Sequence, residues 1–340
     1  MWHYLSTHIY SSDNTEYKEE FEMNDIRYAE RLTPNNAILV RRLKMNGKIM
    51  SVLCVLIIAL ISLAHAGQSE EVKIMTTPVT KQIYMITGEG GNIGLFIGED
   101  GTFLIDDQFA PLTEKIVAAI KSVGGDFPKF LINTHYHGDH TGGNENLGKG
   151  GTLIFSHDNV RERLSTGSFI AAFNMKREAA SREGLPVVTF SEDISFHLNG
   201  DSIRATHVPH AHTDGDSFIY FKKANVIHAG DLFFNGFYPF IDVTHGGSLK
   251  GMIKAVDRVL ALADDNTKII AGHGPLGDKA ELARYRQMLG IAYERLGKLK
   301  AEGKTAQEAA AAKPLADLEA IWGGGLFKSD RWIEIIYSGV

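Results

Sequence analysis

The sequence predicts an α/β (α+β) fold, a four-layer αβ/βα sandwich in which two mixed β-sheets are flanked by helices. Short β-branched or aromatic runs, separated by glycine-containing turns, alternate with amphipathic helices twice along the chain. This pattern indicates two sheets, each covered by helices. Histidines follow predicted strands in both halves, and functional residues of such folds lie in loops beyond the strand ends.

The composition is that of a globular protein. Apolar residues make up 44% of the 340 positions and glycine occupies 35 of them, which indicates a packed core with many turns. The formal net charge of −6 argues against a nucleic-acid partner, since such a partner requires a basic surface.

The first 66 residues are predicted to lie outside the folded domain. Residues 1–44 are polar and weakly periodic, and we interpret them as a disordered upstream extension, with a small regulatory arm as the alternative. Residues 45–66 have the pattern of a cleavable signal peptide: Lys48, then the apolar run 51–63, then Ala-His-Ala before Gly67. A membrane anchor is disfavoured, because a bilayer span needs ~20 apolar residues.

Three expectations follow from this leader. The mature protein is periplasmic or secreted, has no stable membrane span, and lacks cysteine, because Cys54 is the only cysteine of the chain. No linker-like segment interrupts residues 67–340, so we expect one domain there.

The first half of this domain contains five predicted strands and two helices. The strands are "KQIYMITG" (81–88), "GNIGLFIGED" (91–100), "GTFLIDD" (101–107), "FPKFLINT" (127–134) and "GTLIFS" (151–156); the helices are "PLTEKIVAAIKSVGG" (111–125) and "DNVRERLS" (158–165). The proline at the start and the glycines at the end of the first helix are typical helix boundaries.

The second half repeats this mixture. Strands are predicted for "VVTFS" (187–191), "ISFHLNG" (194–200), "DSIRATHVPH" (201–210), "SFIYFKKANVIHAGD" (217–231) and "TKIIAGHG" (267–274), with a helix at "SLKGMIKAVDRVLALA" (248–263). The tail, residues 276–340, is predicted to be almost entirely helical and to cover the site or mediate dimerisation. The sequence makes no prediction of the oligomeric state.

The stretch "THYHGDH" after a buried strand places His135, His137, Asp139 and His140 within six residues. A catalytic triad needs one histidine and a nucleophile, for which this loop offers no clear candidate. Imidazoles and carboxylates suit zinc, and three protein ligands plus water are typical of catalytic zinc. We therefore predict a metal site, and four donors in one loop are enough to serve two metals.

Further ligands must come from later segments. Candidates are His210 or His212 in "HVPHAHTDGDS", Asp231 after the strand "VIHAG", and His273 between two glycines. The other histidines are predicted to have packing or surface roles; these are His157, His197, His207, His228 and His245.

The four segments "THYHGDH", "HTDGDS", "AGDLFF" and "GHG", in this order, resemble the metallo-β-lactamase-fold hydrolases over about residues 75–275. The resemblance implies two zinc ions per chain, with iron or manganese as substitutes. The implied ligands of the first zinc are His135, His137 and His212, those of the second are Asp139, His140 and His273, and Asp231 bridges the two.

Two departures from the β-lactamases of this fold narrow the expected activity. Some of those enzymes have a cysteine where Asp231 stands and a lysine three residues later, where this chain has Phe234. The ligand set is more similar to that of thioester hydrolases of the glyoxalase II type, lactonases and related exported hydrolases. The resemblance thus implies a hydrolase that attacks a lactone, thioester, ester or β-lactam carbonyl with a metal-bound hydroxide, β-lactams being weak substrates. Asp139 would orient the nucleophile, and Asp231 would hold the two-metal site together.

A small-molecule substrate is expected, apolar or cyclic, because aromatic residues follow Asp231. Tyr136, Phe237 and Tyr238 are the predicted pocket residues. Two alternatives stay open. Sulfatase or phosphodiesterase chemistry on the same metals would require Arg or Lys clusters, and few are present in these loops. The second alternative is a zinc-binding protein without turnover, which would need no open coordination position for a water molecule.

Overall fold

The apolar runs of the chain form strands that pair into two mixed sheets. The computed structural model describes residues 71–340, of which Val72–Val340 form one compact unit. The strands are β1 (Met75–Pro78), β2 (Ile83–Thr87), β3 (Ile93–Phe96), β4 (Phe103–Ile105), β5 (Phe130–Ile132), β6 (Leu153–His157), β7 (Ser168–Ile170), β8 (Met175–Arg177), β9 (Val188–Phe190), β10 (Asp193–Leu198), β11 (Asp201–His207), β12 (Ser217–Phe221), β13 (Val226–Phe234), β14 (Lys268–His273) and β15 (Gly277–Asp278).

The first sheet has the order β1-β2-β3-β4-β5-β6-β9 and the second the order β10-β11-β12-β13-β14-β15, while β7 and β8 form a separate hairpin. Strands β4, β5, β6 and β9 pair in parallel, as do β13 and β14; the other pairs are antiparallel. The carboxyl ends of β5, β13 and β14, which the predicted ligands follow or occupy, come from both sheets.

Amphipathic segments form the helices that cover these sheets. The helices are α1 (Thr113–Ser122), α2 (Gly138–Thr141), α3 (Asn144–Lys149), α4 (Asp158–Thr166), α5 (Leu249–Leu262), α6 (Lys279–Ala301), α7 (Ala306–Ala311), α8 (Glu319–Trp322) and α9 (Ser329–Ile336). The buried residues of α5 recur every three or four positions, as an amphipathic helix requires. The side chain of Ser248 caps α5, and a reciprocal Asp278–Glu281 capping box starts α6.

Three apolar clusters define the layers. One lies between the two sheets and includes an edge-to-face pair of Phe96 on β3 and Phe221 on β12, with ring centres 5.2 Å apart. The second packs Ile116 and Ile120 of α1 against the outer face of the first sheet. The third packs α5, α6 and the C-terminal helices against the second sheet. Helix, sheet, sheet and helix follow in order, which confirms the predicted four-layer sandwich.

Several details differ from the sequence expectations. The run predicted as one strand at 217–231 is the hairpin β12–β13, because Ala224 and Asn225 form a turn. Strand β13 continues past Asp231 to Phe234, and the tail begins with the short strand β15 before its helices. The predicted extension and signal peptide lie outside the described residues. Within 71–340, none of the helices combines the length and apolar composition needed to cross a bilayer.

Candidate metal centre

The histidine-rich stretch leaves β5 and turns at once into a short helix. Thr134 anchors the turn, because its backbone N–H and its hydroxyl both donate to the Asp106 carboxylate at 2.7 Å. His137 is still extended, and α2 starts at Gly138, so Asp139 and His140 lie on the first helical turn. The stretch is therefore half loop and half helix, and this change of backbone direction divides its donors between two groups.

The first group is formed by three histidines and one aspartate, all buried. Nδ1 of His137 lies 3.1 Å from His135 Nε2 and 2.8 Å from His212 Nε2. Asp231 Oδ2 lies 3.3 Å from His212 Nε2 and 3.8 Å from His135 Nε2. Of the two histidines that the residue pattern left open, His212 is in this group, whereas His210 is exposed and contacts Gly246 O.

The second group is formed by Asp139, His140 and His273. His273 Nε2 lies 3.3 Å from both Asp139 Oδ2 and His140 Nε2. The side chains of Asp139 and His273 are 27% and 19% exposed, so the centre opens to solvent on this side.

Asp231 lies between the two groups. Its Oδ1 is 3.0 Å from His140 Nε2, and its Oδ2 is 3.4 Å from His273 Nε2. The buried Oδ1 accepts no hydrogen bond from the described residues. The backbone next to this carboxylate requires glycine: Gly230 has φ of +54°, and a Cβ there would lie 2.8 Å from Thr134 Cβ.

The donor spacing fits metal ions. A tetrahedral zinc ion with ligands at about 2.1 Å has ligand–ligand edges of roughly 3.4 Å. The measured separations within the two groups lie between 2.8 and 3.8 Å. Imidazole nitrogens that face one another at such distances, around a buried carboxylate, are suited to share cations. The structure thus brings all seven predicted ligands together.

The opposite side of three of the imidazoles is held by a partner that orients the ring. His140 Nδ1 lies 2.7 Å from Asp106 Oδ2, and His137 Nε2 lies 3.1 Å from Asp242 Oδ2. His212 Nδ1 contacts the carbonyl oxygen of Phe240 at 2.7 Å. Sequence reasoning missed Asp106 and Asp242. The signals that were available are a carboxylate directly after strand β4 and another at the end of the aromatic loop, "FID".

Burial and charge divide the pKa values of the histidines. Burial lowers the pKa of His135, His137 and His212, so these rings are neutral at pH 7, the form that binds metal. Burial also acts to lower the pKa of His140, but the carboxylates of Asp231, Asp139 and Asp106 outweigh it and raise that pKa well above its usual value.

The same balance applies to the second group's remaining members. Burial would lower the pKa of His273, but Asp231 and Asp139 raise it to about 9. The pKa values of Asp139 and Asp231 are lowered in turn. Burial acts to raise them, but the nearby imidazoles of His140 and His273 outweigh burial. A cation bound by this group would have to displace the protons that the raised pKa values of His140 and His273 favour at neutral pH.

Arg177, at the end of the β7–β8 hairpin, holds the ligand stretch from outside. Its Nη1 donates to the Tyr136 carbonyl at 2.7 Å and to Thr141 Oγ1 at 3.2 Å. A Cβ at Gly138 would lie 3.2 Å from the guanidinium carbon. Arg177 therefore fixes the stretch on both sides of Asp139; nothing in its local sequence indicated this role.

The three predicted pocket residues differ in their burial and in the residues that they contact. Tyr136 is 1% exposed, and its hydroxyl donates to Asp242 at 2.6 Å, so it supports a ligand's partner instead of lining an open pocket. Tyr238 is fully buried and stacks on Trp332, and it is therefore a core residue. Phe237 is half-buried and its ring lies 5.7 Å from that of Phe234.

Comparisons with known proteins agree with this geometry. A family model described as the metallo-beta-lactamase superfamily matches residues 86–273. A curated relative, "Probable metallo-hydrolase YqgX" of Bacillus subtilis (strain 168), is 27% identical over 187 residues, which are 52% of this chain and 85% of the relative.

Solved structures show the same fold. A metallo-beta-lactamase from Pontibacter korlensis aligns with a TM-score of 0.51 and 20% identity, over 64% of this chain and 99% of that one. The sec-alkylsulfatase Pisa1 from Pseudomonas sp. aligns with a TM-score of 0.58 and 18% identity, over 78% of this chain and 50% of that one. At these identities the likeness concerns the fold.

Proposed function

Because the family match covers more than half of its 340 residues, this chain belongs to the metallo-beta-lactamase superfamily and is a metal-dependent hydrolase, and we propose that it is an exported dinuclear zinc enzyme. Its substrate would be a small molecule with a lactone, thioester, ester or β-lactam carbonyl. The observation that carries the dinuclear proposal is the position of Asp231, whose two oxygens face two separate groups of donors.

The donor chemistry supports zinc. His135, His137 and His212 would hold one ion, Asp139, His140 and His273 would hold the other, and Asp231 would contact both. Five imidazoles and two carboxylates are ligands that zinc prefers, although iron and manganese accept them too. When bound, such ions act as Lewis acids that polarise a carbonyl and lower the pKa of water.

The chain's own groups would organise the reaction around these ions. Asp139 is the more exposed of the two carboxylates, lies on the open side, and is held in its charged form by His140 and His273. It can accept a hydrogen bond from an attacking water and orient it toward a carbonyl carbon. The deeper Asp231, 5% exposed, would hold the two halves of the centre at a set distance.

The ligand set also bears on the choice among substrates. No cysteine lies beyond Cys54, and Phe234 stands where some β-lactamases have a lysine for the substrate carboxylate. Phe234 stacks on His273, with ring centres 5.0 Å apart, so the position is apolar. We therefore expect lactones, thioesters or esters to be turned over faster than β-lactams.

Three measurements test this proposal. The full chain is expressed with its leader, and the N-terminus of the exported protein is determined; Gly67 is expected, and retention of residues 1–66 in the mature protein would overturn the export proposal. Elemental analysis should then give two zinc ions per chain.

Turnover is measured on a lactone, a thioester, an ester, a β-lactam and, as an anionic comparison, an alkyl sulfate. Turnover of a carbonyl substrate that a chelator abolishes and zinc restores would support the hydrolase. Preference for the sulfate would move the reaction to sulfatase chemistry. Two bound metals with no turnover of any of the five would favour the zinc-binding protein without catalysis.

A further inference from the structure

Two half-buried phenylalanines flank the metal centre, and neither belongs to the ligand set. Phe173 is on the turn of the β7–β8 hairpin, and Phe237 follows β13. One buried aromatic ring lies between each of them and a predicted metal ligand, in contact with both.

Phe173 lies on the side of the first donor group. Its ring is 4.9 Å from that of Phe240 in an edge-to-face arrangement. The Phe240 ring is in turn 5.5 Å from His137 and 5.7 Å from His212. These separations are those of direct aromatic contact, so a single ring, Phe240, separates Phe173 from the first donor group.

Phe237 lies on the side of the second donor group. Its ring packs edge-on against Phe234, and Phe234 stacks on the ligand His273. His273 is also one of the two ligands that are open to solvent. Phe237 is therefore separated by one ring from a donor that is open to solvent.

The segment 323–327, between α8 and α9, joins these two sides. Phe327 is stacked against Phe173 with ring centres 5.9 Å apart. At the other end Gly325 is in contact with Phe237, since a Cβ there would lie 2.5 Å from the ring. The segment is anchored through Trp322, whose carbonyl accepts the Tyr238 N–H at 2.9 Å. Phe327 is itself buried, so it supports the other two rings from behind. We call the half-buried Phe173 and Phe237, together with Phe327 behind them, the aromatic wall.

Part of the wall lies outside the region that the family model matches. The family match ends at residue 273, and Phe327 comes 54 positions later. Phe327 is thus supplied by a part of the chain beyond the region that the family model matches.

We propose that the aromatic wall binds the apolar acyl or aryl group of the substrate while its carbonyl is at the metal centre. This inference rests on the proposed carbonyl hydrolase and names its substrate class: esters, thioesters or lactones whose acyl part carries an aromatic ring or a medium alkyl chain. Apolar walls with a few polar groups at the reacting end are usual for small-molecule sites.

The test uses 4-nitrophenyl esters that differ only in the acyl group: acetate, butyrate and phenylacetate. Wild-type protein should show the highest kcat/KM for the phenylacetate ester. Phe173→Ala should lower that value roughly 10-fold, the scale of a lost apolar contact in a specificity pocket, and change the acetate ester by less than about 2-fold. Phe173→Leu should restore much of the butyrate rate. The control is Phe169→Ala on the same hairpin, since Phe169 is 51% exposed.

A binding measurement separates this inference from the reaction itself. Calorimetry on the zinc-loaded protein should show phenylacetate binding more tightly than acetate, with the difference lost in Phe173→Ala and kept in Phe169→Ala. If esters are not hydrolysed but this binding pattern appears, the wall stands and the carbonyl-hydrolase proposal fails. If all three esters are hydrolysed and Phe173→Ala behaves like Phe169→Ala in both assays, the hydrolase stands and the wall is overturned. Equal metal content in all variants excludes an indirect effect on the centre.

Discussion

Removing the Asp242 carboxylate should weaken one metal ion much more than the other. Asp242 Oδ2 lies 3.1 Å from His137 Nε2 and accepts a hydrogen bond from its N–H. This hydrogen bond leaves His137 Nδ1 unprotonated where it faces His135 and His212. Without Asp242, the imidazole can rotate or place its proton on Nδ1, and in either case the ligand atom is lost.

The contact sets the size of the effect. A hydrogen bond to a charged partner contributes about 1.5–3 kcal/mol, which corresponds to roughly 10- to 150-fold in a binding constant. Loss of such outer partners typically weakens metal binding by about 10–100-fold. We expect Asp242→Ala to lower the affinity of the first site within this range. Asp242→Asn, which keeps a neutral acceptor, should lose about half of that free energy, because charge assistance roughly doubles such a bond.

The assay is competition between metal-free protein and a chromophoric chelator, which resolves two successive zinc-binding steps. Asp106→Asn is the matched variant for the other group, since Asp106 contacts His140 and not His137. Asp193→Asn, which breaks a surface ion pair with Arg204, is the control for general destabilisation. If Asp242→Ala retained both steps at wild-type affinity, or weakened both steps equally while remaining folded, the assignment of Asp242 to one metal would be refuted.

Three further predictions concern the centre and the core. Asp231→Ala removes the carboxylate common to both groups, so fewer than two metals per chain should be found by elemental analysis; an unchanged metal content would contradict the bridging role. Because nearby carboxylates raise the pKa of His273 to about 9 and that of His140 well above its usual value, a metal must displace a proton from each ring at neutral pH, and affinity at the second site should rise by roughly 10- to 100-fold per pH unit from pH 6 and less steeply near pH 9. Titrations at pH 6, 7.5 and 9 check this, and a flat profile would be inconsistent with it. Trp332 is fully buried, stacks on Tyr238 and donates to Pro239 O, so Trp332→Ala should lower the free energy of unfolding by about 3–5 kcal/mol in a denaturant titration. Ile321→Ala, at a 67% exposed position, should change it by less than about 0.5 kcal/mol.

Local sequence determined the ligand chemistry and the order of the elements. Four donors within six residues after an apolar strand are informative by themselves, because strand ends and ligand types are local properties. The periodic spacing of apolar residues in strands and helices is also a local property, and the predicted sandwich is confirmed. The choice of His212 over His210 came from the family resemblance, and the structure agrees with it: His212 faces the centre, while His210 is exposed with φ of +56°.

The placement of aromatic residues near the centre depended on tertiary structure. Tyr238 is seven positions after Asp231, and proximity in sequence suggested a shared pocket. The chain turns at Gly236, with φ of +103°, and Tyr238 then stacks on Trp332, 94 positions later. A local sequence pattern cannot indicate which residue so far along the chain will pack against Tyr238.

The same reason explains the missed supporting groups. Asp106 reaches His140 and Asp242 reaches His137 across 34 and 105 positions of sequence. An aspartate after a strand has many possible roles, and only the packing of two sheets against each other decides which imidazole it meets. The sequence alone therefore identified the atoms able to bind metal, whereas the tertiary structure decided which groups orient them and which aromatic rings stand beside them.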